Sequence, residues 1–103
     1  MYCVIFITAS SKNEAEHIAA ELVKKRLAAC VNLIDNITSV FWWEGKIDKA
    51  SEVLLVVKSK KTKIPQVIKL VKSLHSYEVP EIIALPIIAG EKKYLNWINE
   101  SLR

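Results

Sequence analysis

Glycine is scarce in this sequence, with only Gly45 and Gly90 among 103 residues. A P-loop and the glycine-rich turn of a dinucleotide-binding fold each need several glycines at fixed spacing. Both classes of protein are therefore excluded. Cysteine is scarce too, and Cys3 and Cys30 lack C-x-x-C spacing. We therefore expect reduced, partly buried thiols rather than a disulfide framework.

Long apolar runs are also missing. No stretch approaches the ~18 apolar residues of a membrane span, and the opening residues lack the basic start of a signal peptide. We therefore expect a cytoplasmic protein without membrane insertion. The length predicts a single domain over residues 1–103.

Apolar and basic residues are abundant instead. Hydrophobic residues make up 51% of the chain, a large share for so small a domain. The net charge is +4, and much of it lies in one stretch without acidic residues. Such a stretch indicates an anionic partner or a solvated face. Its lysines are Lys58, Lys60, Lys61, Lys63, Lys69 and Lys72.

Hydrophobic periodicity predicts the element order β-α-β-β-α-β-α. The first helix starts at a capping box formed by Ser11 and Glu14, and Thr62 can cap the second. The predicted elements are strands over 2–8, 29–47, 52–59 and 81–87, with helices over 11–26, 62–75 and 91–102. Asp35-Asn36 interrupts the second strand, and Gly45 predicts a bulge or turn near its end. This order predicts an α+β fold, a ferredoxin-like split βαβ sandwich (βαββαβ plus a C-terminal helix).

The strands of that fold should alternate apolar and polar residues, because two helices cover only one face of the sheet. Here residues 4–7, 53–57 and 82–85 are apolar on both faces. Another subunit or the last helix must cover the second face, and we favour another subunit, because one short helix covers only part of a four-stranded sheet.

Two polar or aromatic clusters are candidate sites. The segment from His75 to Glu81 holds an imidazole, a phenol and two carboxylates, which suit a metal or a polar ligand. The alternative is that His75 caps the helix, Tyr77 packs and the glutamates face water. Trp42 and Trp43 are adjacent on a strand, so one can enter the core while the other needs a partner or ligand. Interface packing is the favoured interpretation.

The other candidate sites have weaker support in the sequence. His17 lies near Glu14 and Glu21 on a helix, which we interpret as a solvated face rather than a metal site. We interpret Cys30 as a small buried residue rather than as a thiolate ligand of a metal ion. No nucleophile–base pair is visible, so we expect no enzyme. An RNA-binding module would show aromatic side chains on the exposed faces of the first and third strands, and residues 53–57 contain no aromatic residue. We therefore expect no nucleic-acid partner.

The sequence resembles the CutA family of divalent-cation tolerance proteins almost from end to end. The matching segments are Thr8-Ala9, Arg26-Leu27-Ala28-Ala29-Cys30-Val31-Asn32, Ile37-Thr38-Ser39, Trp43-Glu44-Gly45-Lys46-Ile47, Glu52 with Lys58, the run from His75 to Pro86, and Tyr94-Leu95-x-Trp97. The resemblance implies a ferredoxin-like homotrimer with strands paired between subunits. It also implies a role in metal-ion response, with copper and other divalent cations as ligands, and no established reaction.

Two sets of site residues follow from this resemblance and the clusters. A non-catalytic protein binding Cu(II) or a similar divalent cation, with no obligatory cofactor, would use His75 with Glu78 and Glu81. The alternative is a trimeric sensor similar to PII proteins, which would bind an anionic small molecule at the subunit boundary through Trp43, Lys58, Tyr77 and Glu81.

Two positions depart from the family pattern. The family usually has proline after the histidine, and Ser76 here is expected to loosen the turn that aims Tyr77 and Glu78. Some members carry a cysteine at the position of Ile7, so their thiolate ligand would be lost.

Overall fold

A computed structural model describes all residues from Met1 to Arg103. Its elements are β1 (Tyr2–Ala9), α1 (Lys12–Lys24), β2 (Cys30–Trp43), β3 (Lys46–Lys60), a 3-10 turn (Lys61–Lys63), α2 (Ile64–Leu74), β4 (Ile82–Pro86) and α3 (Lys92–Ser101). The predicted order of strands and helices is confirmed. The helices are all too short or too polar to span a membrane.

The four strands form one antiparallel sheet in the order β2-β3-β1-β4. The chain therefore crosses over β3 through α1 on its way from β1 to β2. This is the topology of a ferredoxin-like split βαβ sandwich, which confirms the predicted fold. Strands β2 and β4 form the two edges, where backbone groups have no neighbouring strand.

The β2–β3 hairpin is longer than the sequence pattern predicts. Glu44 and Gly45 have φ values of 50° and 79°, the positive angles that a two-residue type I′ turn requires. Ile47 therefore belongs to β3, not to β2, and β3 starts at Lys46 instead of residue 52. Asp35-Asn36 forms a bulge between paired positions Ile34 and Ile37.

The starts of the two long helices differ in how well they were predicted. Ser11 caps α1, since its hydroxyl accepts a hydrogen bond from the Glu14 N–H at 3.2 Å. The predicted cap at Thr62 is wrong, because Thr62 lies in the 3-10 turn and α2 begins at Ile64. Pro65 provides the fixed φ angle in the first turn of α2 instead.

The core lies between the sheet and helices α1 and α2. Directly paired residues of neighbouring strands point to the same side of a sheet, so the register defines a helix face. On this face Ile5, Ile7, Leu55 and Val57 are completely buried. The apolar stripes of α1 and α2 cover them, with Ile18, Leu22, Val67 and Val71.

The opposite face, here called the open face, has no helix over most of its area. The predicted apolar character of both faces is confirmed, since the side chains of the open face include Val4, Phe6, Ile34, Leu54, Val56, Ile83 and Leu85. Ile83 is 51% exposed. Helix α3 lies only at one end, where Lys60 Nζ donates to Asn99 Oδ1 at 2.7 Å.

Neither tryptophan of the pair enters the core of this protomer. Trp42 is 72% exposed and Trp43 is 53% exposed. The two side chains point to opposite sides of the hairpin, as expected, but the hairpin is exposed on both sides here. Both rings are therefore available to a partner.

Candidate functional site

The β2–β3 hairpin and the loop 75–81 between α2 and β4, here called the α2–β4 loop, form an open cleft of about 780 Å³. Its lining residues are Thr8, Ser39, Val40, Phe41, Trp43, Asp48, Glu52, Ser76, Tyr77, Glu78, Val79 and Glu81. The strand register places Thr8, Phe41 and Glu52 on the open-face side. The cleft therefore lies beside the uncovered apolar surface.

A buried carboxylate lies at the bottom of the cleft. Glu52 is only 7% exposed, and its Oε2 accepts a hydrogen bond from the Tyr77 hydroxyl at 2.8 Å. Burial, this hydrogen bond and the negative charges of Glu52 and Glu14 raise the pKa of Tyr77 to about 12. Tyr77 is thus a neutral donor at physiological pH.

Glu52 and Asp48 were not among the predicted site residues. Glu52 could have been found, because it directly precedes the apolar run of residues 53–57 in a strand. A carboxylate in that position must either lie at the surface or find a partner. Asp48 carries no comparable signal, since it lies in the polar part of the hairpin.

His75 ends α2 and orients Tyr77. Its Nδ1 accepts a hydrogen bond from the Tyr77 N–H at 3.0 Å. The ring proton is therefore on Nε2, which donates to the Thr8 carbonyl oxygen at 2.7 Å. Both ring nitrogens are engaged, so a metal ion at this imidazole would have to replace one of the two hydrogen bonds.

The three residues predicted to bind a metal have different surroundings. Glu78 and Glu81 line the cleft, whereas His75 lies behind Tyr77 and does not. In this protomer no three His, Cys, Asp or Glu side chains are grouped so that they could hold one metal ion between them. The cleft thus offers the carboxylates, and the imidazole holds the loop that carries them.

The residues predicted to bind an anion are also divided. Trp43, Tyr77 and Glu81 line the cleft. Lys58 does not, because its Nζ donates to Asn32 Oδ1 on the open face. Lys58 is six residues along β3 from Glu52, a distance of ~20 Å in an extended strand.

Ser76, which stands where the family usually has proline, is held by contacts to the start of α1. Its N–H donates to Glu14 Oε2 at 2.7 Å, and its hydroxyl lies 3.3 Å from the Ser10 hydroxyl. Glu14 accepts from the N–H of Ser10 rather than that of Ser11, so only the Ser11 half of the predicted capping box forms. Partial burial raises the pKa of Glu14, but the hydrogen bonds from Ser10 and Ser76 outweigh it and lower that pKa below its usual value.

The other candidate ligands lie outside the cleft. His17 is exposed on α1, and Cys30 is half-buried and pairs with Lys58 across β2 and β3. Burial raises the pKa of the Cys3 thiol, more than the charged N terminus lowers it. Ile7, at the position of the family cysteine, is completely buried in the core.

The fold and the cleft define a ferredoxin-like protein with an acidic cleft beside the open face of its sheet. A family model described as CutA1 divalent ion tolerance protein matches residues 3–101. The chain therefore belongs to the CutA1 family of divalent ion tolerance proteins.

Individual relatives agree with this assignment. The divalent-cation tolerance protein CutA of Archaeoglobus fulgidus is 49% identical over 102 residues, which are 99% of each chain. Protein CutA of Mus musculus is 46% identical over 95 residues, which are 92% of this chain and 54% of the mouse protein. The chain thus spans about half the length of the mouse relative and 56% of a chloroplastic relative from rice.

Solved structures share the fold. A structure described as the periplasmic divalent cation tolerance protein CutA from Archaeoglobus fulgidus has a TM-score of 0.97 and 48% identity, with both chains covered completely. The divalent cation tolerance protein from Thermus thermophilus has a TM-score of 0.96 and 44% identity, with 98% of each chain covered. The fold prediction is confirmed, while the cytoplasmic location of this chain stays a prediction.

Proposed function

We propose that this chain is a non-catalytic protein of metal-ion response that binds divalent cations in the cleft. One observation carries the proposal: all charged side chains that line the cleft are acidic, namely Asp48, Glu52, Glu78 and Glu81. Carboxylate oxygens bind divalent cations and repel anions. The divalent ion tolerance family to which the chain belongs supports a role connected with such ions.

Copper is a candidate ion, as the family resemblance implies. Cu(II) heads the affinity order of first-row divalent ions at nitrogen and oxygen sites, so it should bind at least as tightly as Mn(II) or Zn(II). Glu78 and Glu81 are the proposed ligands. His75 contributes either by giving up the hydrogen bond at Nδ1 to bind the ion or by holding Tyr77 in place.

We propose that the working form is a homotrimer. The open face is apolar, and both edge strands are available for pairing between chains. Burying such a face contributes about 25 cal/mol per Å² of apolar area. Because the cleft lies on the same side as the open face, further copies would lie close to it.

An anionic small molecule, as in a sensor similar to PII proteins, is the less favoured ligand. Such a ligand would meet four carboxylates in this cleft. Lys58, the positively charged residue predicted to bind such an anion, lies elsewhere on the open face and is hydrogen-bonded to Asn32. That function would therefore depend on positive charge contributed by another chain.

Calorimetric titration of the purified protein with Cu(II), Mn(II) and ATP distinguishes these functions. We expect both metals to bind and ATP not to bind. Glu81→Gln should weaken metal binding, whereas His17→Ala on the exposed face of α1 should not. Binding of ATP with no binding of either metal would overturn the proposal.

His75→Ala then separates a ligand from a positioning residue. Mn(II) prefers oxygen ligands, so a lost imidazole ligand should weaken Cu(II) binding at least tenfold, about 1.4 kcal/mol, and Mn(II) binding much less. Equal weakening of both metals would show that His75 acts through the position of Tyr77.

A further inference from the structure

The α2–β4 loop carries five of the residues that line the cleft and has little backbone support. Outside the helices and strands, no backbone–backbone hydrogen bond involves residues 76–81. Side chains must therefore hold this loop. Tyr77 is bonded at both ends, through its N–H to His75 and through its hydroxyl to Glu52.

A third support comes from the first turn of α1. Glu14 Oε2 accepts the Ser76 N–H at 2.7 Å, and Glu14 Oε1 accepts the N–H and hydroxyl of Ser10 at 3.0 and 3.1 Å. One carboxylate thus joins the chain that enters α1 to the loop that leaves α2. A charged acceptor makes stronger hydrogen bonds than a neutral one, and a negative charge is favourable in the first turn of a helix.

We infer that Glu14 is a positioning residue of the cleft, which fixes Tyr77 and the following glutamates by holding the backbone of Ser76. The inference rests on the proposed cation site and adds to it a residue outside the cleft lining. Without the Glu14 carboxylate, the Ser76 N–H turns to water and the loop keeps only its bonds to His75 and Glu52. The loop then samples positions in which Glu78 and Glu81 do not face the cleft together.

Glu14→Ala tests this role against Glu16→Ala as a matched control. Both variants remove one carboxylate from the start of α1, but the side chain of Glu16 is exposed and makes no hydrogen bond or ion pair. Glu14→Ala should weaken Mn(II) binding about tenfold. This is the lower end of the loss in metal affinity that is typical when a residue that orients metal ligands is removed. Glu16→Ala should bind Mn(II) like the natural protein, and Glu14→Gln, which keeps one acceptor oxygen, should recover part of the affinity.

Amide hydrogen exchange supplies a measurement that needs no metal. The Ser76 and Tyr77 amides should exchange faster in Glu14→Ala, while those of β1 and β3 keep their protection. Ser76→Pro removes the N–H that Glu14 accepts, so adding Glu14→Ala to Ser76→Pro should have little further effect on Mn(II) affinity.

The outcomes separate this inference from the proposed function. If Glu14→Ala behaves like Glu16→Ala in both metal affinity and amide exchange, the positioning role is overturned. If the natural protein binds no Mn(II) but Glu14→Ala still speeds amide hydrogen exchange at Tyr77, the proposed cation site is overturned, whereas the positioning of Tyr77 by Glu14 is supported.

Discussion

The two faces of the sheet have similar apolar side chains but differ in burial. On the helix face Leu55 is completely buried beneath the helices, whereas its neighbour Leu54 on the open face is only half-buried. At the edges of the open face Ile34 is 48% exposed and Leu85 is 44% exposed. Apolar composition therefore indicates that a face is to be covered, but not whether its own chain covers it. The helix face is complete in one protomer, and in the proposed homotrimer further copies would cover the open face.

The largest effect is expected on the helix face. Leu55→Ala should lower the free energy of unfolding by about 2–5 kcal/mol, because it leaves a cavity beneath α1 and α2. Denaturant unfolding at several protein concentrations measures this loss. Leu54→Ala on the open face should act mainly by weakening association, so its effect should depend on protein concentration. An equal, concentration-independent loss would mean that the open face packs within one protomer.

A smaller effect is expected at the cleft. Tyr77→Phe should destabilise the protein by about 1–3 kcal/mol, because the buried Glu52 carboxylate loses a hydrogen-bond donor. Tyr94→Phe is the matched control, since Tyr94 is 43% exposed. Thermal or denaturant unfolding of both variants provides the comparison. Equal stability of the two variants would contradict a structural role for the Tyr77–Glu52 bond.

A charge on the open face should weaken assembly. Ile83→Lys should reduce association at least tenfold, about 1.4 kcal/mol, because a charged group would have to be buried between copies. Val23→Lys is the control on the other side of the molecule, where Val23 of α1 is exposed to a similar extent, 45%. Sedimentation of both variants across a dilution series measures the change. Loss of assembly in Val23→Lys alone would place the interface on the helix side.

The smallest effect is expected on stability at low pH. The pKa of Glu14 is lower in the folded protein than its usual 4.5, so its ionised form stabilises the fold. That contribution is complete above pH 4.5 and is lost as the pH falls through the folded pKa. The stability difference between the natural protein and Glu14→Gln should therefore shrink in acid. A difference that grows on acidification would contradict the hydrogen bonds assigned to this carboxylate.

Most of the fold could be predicted from the sequence, because hydrophobic periodicity reports which residues face a core. The wrong predictions lie at turns and helix starts, where the chain enters a strand or a helix. The predicted start of the third strand at residue 52 missed the polar part of the hairpin, and Thr62 looked like a helix cap although Pro65 sets the start of α2. Local hydrogen bonding and proline geometry outweigh periodicity at such places.

The site was predictable only where its residues are close in sequence. The cluster from Tyr77 to Glu81 is visible as a run of polar groups, and Tyr77, Glu78 and Glu81, three residues of that run that line the cleft, are predicted site residues together with Trp43. The contact between Glu14 and Ser76 joins residues 62 positions apart, so no local pattern reports it. The separation of Lys58 from the cleft likewise depends on the register of β3.

Sedimentation equilibrium of the natural protein at micromolar concentration tests the central claim most directly. If further copies cover the open face, the mass should be about three times 11.7 kDa, and the unfolding midpoint should rise with protein concentration. A single species of 11.7 kDa with a midpoint independent of concentration would contradict this account of the open face.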